Sequence, residues 1–168
     1  MEKTVLESNA AALVAPGKGI LAADESSGTI KKRFDKIKLE STFESRRAYR
    51  ELLFTAPGAE KHISGVILYD ETIRQQASDG RLFPELLAAR GILPGIKVDA
   101  GAKALAGFPG ETITEGLDGL RERLAEYRGL GARFAKWRAV IDIGAGIPTG
   151  FVIEANAQAL ARYSALCQ

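Results

Sequence analysis

Short apolar runs alternate along this chain with longer, helically patterned runs, and that order predicts an α/β fold in which helices cover a parallel sheet. Two further observations point the same way. The apolar runs begin near residues 19, 64, 93 and 132, intervals that suit successive βα units. Each run also carries charge near its end: Asp24, Asp70, Lys97 with Asp99, and Lys136 with Arg138. No linker or low-complexity tract interrupts the pattern, so residues 1–168 read as a single domain.

The elements follow in order. Leu6 to Val14 has helical spacing and is ended by Pro16-Gly17. Gly19-Ile20-Leu21-Ala22-Ala23-Asp24 is the first strand, and Ser26-Ser27-Gly28 reads as a loop. Ser41-Thr42-Phe43-Glu44 has capping-box spacing, in which Ser and Glu each satisfy a backbone N–H, so a helix starts near Ser41 and runs to about Phe54. Ser64 to Tyr69 forms the second strand. Pro84 opens a helix in the first turn, where its missing N–H costs nothing, and Gly91 closes it. Ile96-Lys97-Val98 is the third strand. Leu117, Leu120, Leu124 and Tyr127 recur at helical spacing up to Gly129 and Gly131. A fourth strand carries Lys136 and Arg138, and a last helix places Ile153, Ala157, Leu160, Ser164 and Cys167 on one face.

Composition narrows the function. Hydrophobic residues make up 46% and charged residues 26% of the 168, the globular range. With 23 basic and 21 acidic side chains the net charge is +2, so no broad nucleic-acid footprint exists. Lys31-Lys32-Arg33 and Arg46-Arg47 read, on charge alone, as solvated helix surface. Cys167 is the one cysteine, which rules out an intrachain disulfide and fits a reducing compartment. The start Met1-Glu2-Lys3 leads into no signal-peptide core, and no apolar run approaches a membrane span. A soluble, cytoplasmic protein with no membrane partner is expected.

His62 is the one histidine and lies in a polar connector far from Cys167. A zinc-activated water usually needs three protein ligands, and a serine triad needs a histidine beside a nucleophile elbow. Neither pattern is present, so His62 reads as a surface residue and no metal or cofactor is expected. Gly17-Lys18-Gly19 precedes a strand instead of opening a helix, and Gly144-Ala145-Gly146 lacks its third glycine, so neither is a dinucleotide fingerprint. Chemistry falls to lysine, arginine and carboxylate.

Side chains alternate across a strand. Phe134, Lys136 and Arg138 therefore share one face and Ala135, Trp137 and Ala139 the other; Lys97 and Asp99 oppose Ile96 and Val98. In a βα barrel the apolar side faces the helices, while the inner C-terminal rim builds the active site. One reading of these charges is a set of structural ion pairs, such as Asp24 with Lys136. The other is a site, because charges on several consecutive strand ends cluster at catalysis. A lysine crowded by cations and partly desolvated loses its proton more easily, and its neutral amine attacks a carbonyl to form an imine. A carboxylate moves protons and guanidinium groups hold phosphate. The set suits aldol or enolisation chemistry on a phosphorylated ketose.

Ala15-Pro16-Gly17-Lys18-Gly19-Ile20-Leu21-Ala22-Ala23-Asp24-Glu25-Ser26, Gly95-Ile96-Lys97-Val98-Asp99 and Phe134-Ala135-Lys136-Trp137-Arg138 closely resemble class I fructose-bisphosphate aldolases. Gly116-Leu117-Asp118-Gly119-Leu120, Glu154-Ala155-Asn156-Ala157 and Leu160-Ala161-Arg162-Tyr163 fit as well. The resemblance implies a (β/α)8 TIM barrel, of which this chain covers about the first four βα units, a half barrel. It implies metal-independent, reversible cleavage of fructose 1,6-bisphosphate to dihydroxyacetone phosphate and glyceraldehyde 3-phosphate through a lysine imine. Carried over, Asp24, Lys97 and Lys136 are catalytic: Asp24 assists imine formation and cleavage, Lys97 positions substrate, and Lys136 supports proton transfer. Ser26, Thr29, Arg33, Arg46 and Arg138 bind the sugar phosphate; Thr29 stands where many members have Ser.

A full barrel takes about 250 residues. In the family the imine-forming lysine lies on the sixth strand and an acid–base glutamate on the fifth. The chain thus reads as the N-terminal half of a longer, homo-oligomeric parent, holding supporting residues without the nucleophile and inactive alone. Two other readings stand beside this one. The chain is a non-enzymatic half-barrel that binds sugar phosphate or a protein partner, or Lys97 or Lys136 is the imine lysine of a shorter enzyme.

Overall fold

A computed structural model describes residues 3–168. Met1 and Glu2, which open the stretch read above for a signal peptide, lie outside the described residues. The chain divides into two compact units, Met1–Lys97 with Tyr127–Ala135, and Val98–Glu126 with Lys136–Gln168.

In chain order, α1 (Lys3–Leu13) leads into β1 (Gly19–Ala23), α2 (Ser27–Asp35) and α3 (Phe43–Phe54). A 3-10 turn at Ala59–Lys61 precedes β2 (Ile63–Leu68), α4 (Asp70–Ile73), α5 (Phe83–Ala89) and β3 (Leu93–Lys97). Then come β4 (Gly101–Ala104), β5 (Thr112–Glu115), α6 (Leu120–Gly129), β6 (Phe134–Lys136) and α7 (Gly150–Cys167).

In the first unit β1 runs parallel to β2, Ile20 opposite Gly65 through Ala23 opposite Leu68. β2 runs parallel to β3, Gly65 opposite Leu93 through Leu68 opposite Ile96. The sheet order is β1-β2-β3-β6. Val66, Leu68, Ile96, Ile73 and Leu87 are buried, and Phe54 meets Phe83 edge-on at 5.1 Å. Each such side chain removed from water contributes roughly 1.5–3 kcal/mol. The other face of the sheet is filled differently. A Cβ on Gly95 would lie 2.2 Å from Phe134 Cζ, and one on Gly65 would lie 2.6 Å from Leu13 Cδ2. The Phe134 ring occupies space that two neighbouring strands leave empty by carrying glycine.

Several local expectations need correction. Ser27 and Gly28 belong to helix α2, not to a loop. Ser26 caps that helix by accepting from the Thr29 N–H, and Ile30 and Phe34, four apart, bury its inner face. Gly28 disfavours a helix intrinsically, but this packing outweighs it. The capping box of α3 is Thr42 with Ser45, one residue later than expected: Ser45 N–H donates to Thr42 Oγ1 at 3.0 Å and Thr42 N–H to Ser45 Oγ at 2.9 Å. Ser41 is taken instead by Arg46, and Glu44 by Arg47.

The second unit holds an antiparallel hairpin, β4 with β5, Gly101 opposite Glu115 and Ala104 opposite Thr112. Sequence reasoning missed it, although Thr112 to Glu115 alternates and Phe108-Pro109-Gly110 supplies turn residues. The expected fourth strand is shorter than its apolar run. β6 stops at Lys136, and the chain beyond is held by threonine hydroxyls. Thr114 Oγ1 donates to the Arg138 carbonyl at 2.8 Å, and Thr112 Oγ1 to that of Val140 at 2.7 Å. The inner face of α7 is also not the one expected. Val152 and Asn156 are buried, whereas Ile153, Ala157, Leu160 and Ser164 are exposed. Asn156 selects this face: its amide donates to the Thr112 carbonyl of β5 at 3.3 Å and to Val152 O at 2.9 Å.

Candidate active site

β1 delivers Asp24 and Glu25 to its C-terminal end, with Asp24 half-buried. The chain then turns straight into α2. Ser26 Oγ accepts from the Thr29 N–H at 3.3 Å and lies 3.1 Å from Thr29 Oγ1. Two hydroxyls and the first N–H groups of a nine-residue helix gather here. The helix dipole makes such a place favourable for an anion. Arg33 follows four residues after Thr29, on the same helix face. Its guanidinium pairs with Glu25 and donates to Tyr49 Oη at 3.4 Å.

Sequence reasoning missed what stands behind this turn. Arg50 of α3 is 1% exposed. It bonds to the second carboxylate oxygen of Glu25 and donates to the Glu25 carbonyl at 2.9 Å. The Tyr49 ring lies 5.5 Å from its guanidinium carbon. The signal was available, because Arg50 sits one helical turn before Phe54 and therefore on the buried stripe of α3.

Arg46 is also held. Its Nε and Nη2 donate to the two oxygens of Glu71, each at 2.7 Å, and Nη1 donates to Ser41 O at 3.0 Å. The Glu71 carboxylate keeps Arg46 more firmly charged than a free guanidinium. On the same helix, Glu51 accepts from Ser78 Oγ at 2.6 Å and Ser78 N–H at 2.7 Å, and pairs with Arg47 at 2.6 Å. Those donors, Ser78 first, lower the Glu51 carboxyl from 4.5 to about 2.

Lys97 closes β3 half-buried, after the buried Pro94, Gly95 and Ile96. Asp24 and Lys97 both have interaction partners. Asp70 accepts from Tyr127 Oη at 2.8 Å and pairs with Arg74 at 3.0 Å, so this strand-end charge joins a structural cluster. His62 is exposed, as the sequence reading expects.

In the second unit Lys136 is half-buried, and its carbonyl accepts from Val98 N–H at 3.1 Å. Arg138 is exposed beyond the end of β6, and its N–H donates to Asp99 Oδ2 at 3.3 Å. Trp137 turns to the helix side and meets Tyr163 of α7 at 5.4 Å between ring centroids. Burial makes both the Tyr163 phenol and the neighbouring Cys167 thiol weaker acids than usual, so both stay protonated. An open cleft of about 760 Å³ lies among Thr114, Glu115, Asp118, Arg123, Gln158 and Arg162; none of the sequence-predicted site residues lines it. Among the described residues no three of His, Cys, Asp and Glu are grouped to hold a metal ion, and no helix is long and apolar enough to cross a membrane.

Parallel βα units with charged groups at the strand ends define part of a TIM barrel. The particular family follows from the comparisons. The model of the glycolytic class I fructose-bisphosphate aldolase family matches residues 5–168, and the chain belongs to that family. It is 65% identical over 163 residues to a probable class 1 fructose-bisphosphate aldolase of Xanthomonas campestris, covering 97% of this chain and 49% of that protein. It is 56% identical over 163 residues to the cytosolic fructose-bisphosphate aldolase 4 of Arabidopsis thaliana, covering 97% and 42%. The fructose-bisphosphate aldolase of Plasmodium falciparum, solved with TRAP and a small molecule inhibitor, superposes with a TM-score of 0.93 at 49% identity. That match covers 99% of this chain and 50% of the other. The chain thus spans about half the length of the relatives it matches.

Proposed function

We propose that residues 1–168, acting as one N-terminal half barrel, supply the supporting half of a class I aldolase site. The substrate is fructose 1,6-bisphosphate, cleaved reversibly without metal through an imine whose lysine lies outside these residues. The observation that carries this reading is the β1–α2 turn. It places the Asp24 carboxylate two residues ahead of a helix N-terminus dressed with Ser26 and Thr29 and followed by Arg33.

In this reading Ser26, Thr29 and Arg33 take a phosphate group. Arg33 and Arg46 each hold a carboxylate, Glu25 and Glu71, and phosphate oxygens would take the place of that carboxylate on the guanidinium fork. Asp24 accepts and returns protons at the reacting carbon. Lys97 positions the substrate, Lys136 supports proton transfer around the imine, and Arg138 engages substrate hydroxyl or phosphate. The cytosolic relatives support a cytoplasmic location, and the longer parent is proposed to be a homo-oligomer.

Borohydride trapping with dihydroxyacetone phosphate, read by intact mass and peptide mapping beside circular dichroism, tests this. A folded chain should form no adduct yet still bind the phosphate. An adduct on Lys97 or Lys136 would make this half carry its own nucleophile and overturn the supporting role given to those lysines.

A further inference from the structure

Glu25 stands between Asp24 and Ser26 and divides its carboxylate between two arginines of unlike exposure. The Arg33 side chain is 55% exposed, that of Arg50 only 1%. Water competes for the outer pair and not for the inner one. Arg50 also holds the Glu25 backbone carbonyl, so one guanidinium fixes both the side chain and the peptide of the same residue. A buried guanidinium is costly to desolvate, and Arg50 Nε has no hydrogen-bond partner. An apolar residue would fill that space at lower cost, so packing alone does not account for arginine here.

We infer that Arg50 is a positioning residue. By gripping Glu25 at carboxylate and carbonyl it fixes the peptide between Asp24 and Ser26, and so sets the spacing between the Asp24 carboxylate and the phosphate-binding start of α2. The inference rests on the reading of Ser26, Thr29 and Arg33 as a phosphate site. It assigns a division of labour within the Glu25 carboxylate. Arg33 exchanges Glu25 for phosphate, and Arg50 keeps Glu25 in place while it does so. The fork geometry is essential, because a lysine ammonium at position 50 would not hold both the carboxylate and the carbonyl in the same plane.

The test titrates inorganic phosphate into the 168-residue chain and follows the backbone amides of Ser27 to Ile30 by NMR. Arg50→Lys should weaken phosphate binding by about tenfold and move the Ser27 and Thr29 amide shifts before any phosphate is added. Arg47→Lys, which disturbs ion pairs to Glu44 and Glu51 on the same helix, should leave both readouts unchanged. Should Arg50→Lys fail to fold, Arg50→Gln, which leaves the Glu25–Arg33 pair in place, should show the same weakening. Wild-type affinity in a folded Arg50→Lys or Arg50→Gln variant would overturn the positioning role while leaving the phosphate site standing. No phosphate binding to Ser27 to Ile30 in the wild-type chain would overturn the phosphate site and the inference with it.

Discussion

In the first unit Arg46 and Arg50 close on carboxylates 25 residues away in sequence, and no Cβ fits at Gly95. In the second unit most of the comparable joins involve the backbone. Thr112 and Thr114 hold carbonyls, Asn156 holds a strand carbonyl, and Glu111 receives both the N–H and the hydroxyl of Thr149 at 2.7 Å each. Both arrangements keep a polar group paired away from water. They differ in what a substitution removes. A lost ion-pair partner leaves a charge stranded, whereas a lost hydroxyl leaves one carbonyl short of a donor.

The sharpest break should come at Gly95. Gly95→Ala presses a methyl into the Phe134 ring and should cost about 3 kcal/mol in urea denaturation. Phe134→Leu in the same chain should recover part of that loss. Thr149→Ala should cost about 1.5 kcal/mol, because it removes the cap of α7 and one of the two bonds to Glu111. A change below experimental error would remove the claim that capping holds the second unit together.

Glu51 gives a pH-dependent version of the contrast. Its folded value of about 2 lies below the ordinary 4.5, so its contribution is full above pH 4.5 and is lost as pH falls from 4.5 toward 2. Glu51→Gln should therefore cost about 1 kcal/mol at pH 7 and progressively less through that window, measured as urea midpoints. A gap that stayed constant with pH would separate Glu51 from acid stability. The smallest effect should be Gly150→Ala. Nothing lies within 4 Å of its Cβ position, so the variant should gain about 0.5 kcal/mol from lower unfolded-chain entropy.

The parallel strands were legible because Gly19 to Ala23, Ser64 to Leu68 and Leu93 to Lys97 are short apolar runs with turn residues on both sides. The face of α7 was not. Its residues are apolar on more than one side, and the choice was made by Asn156 reaching a carbonyl 44 residues away. Asp24 could be picked out as a strand-end charge, whereas Ser26, Thr29 and Arg33 came only with the family resemblance, since on charge alone Arg33 reads as solvated helix surface. The burial of Arg50 was legible from its place one turn before Phe54, but its pairing with Glu25 was not, because the two lie 25 residues apart in sequence. Glu71 escaped for the same reason, and Arg46 read alone looked free to bind.

The threonines of β5 also bear on the order in which the second unit assembles. The β4–β5 hairpin closes over a short stretch and needs no distant partner, so it belongs among events of about 1–10 μs. The segment that Thr112 and Thr114 hold lies 28 and 24 residues further along, and its capture must wait for that longer loop to close. The hairpin would then act as a template already in place when residues 138–140 arrive, and slowing the hairpin would delay everything that docks on it.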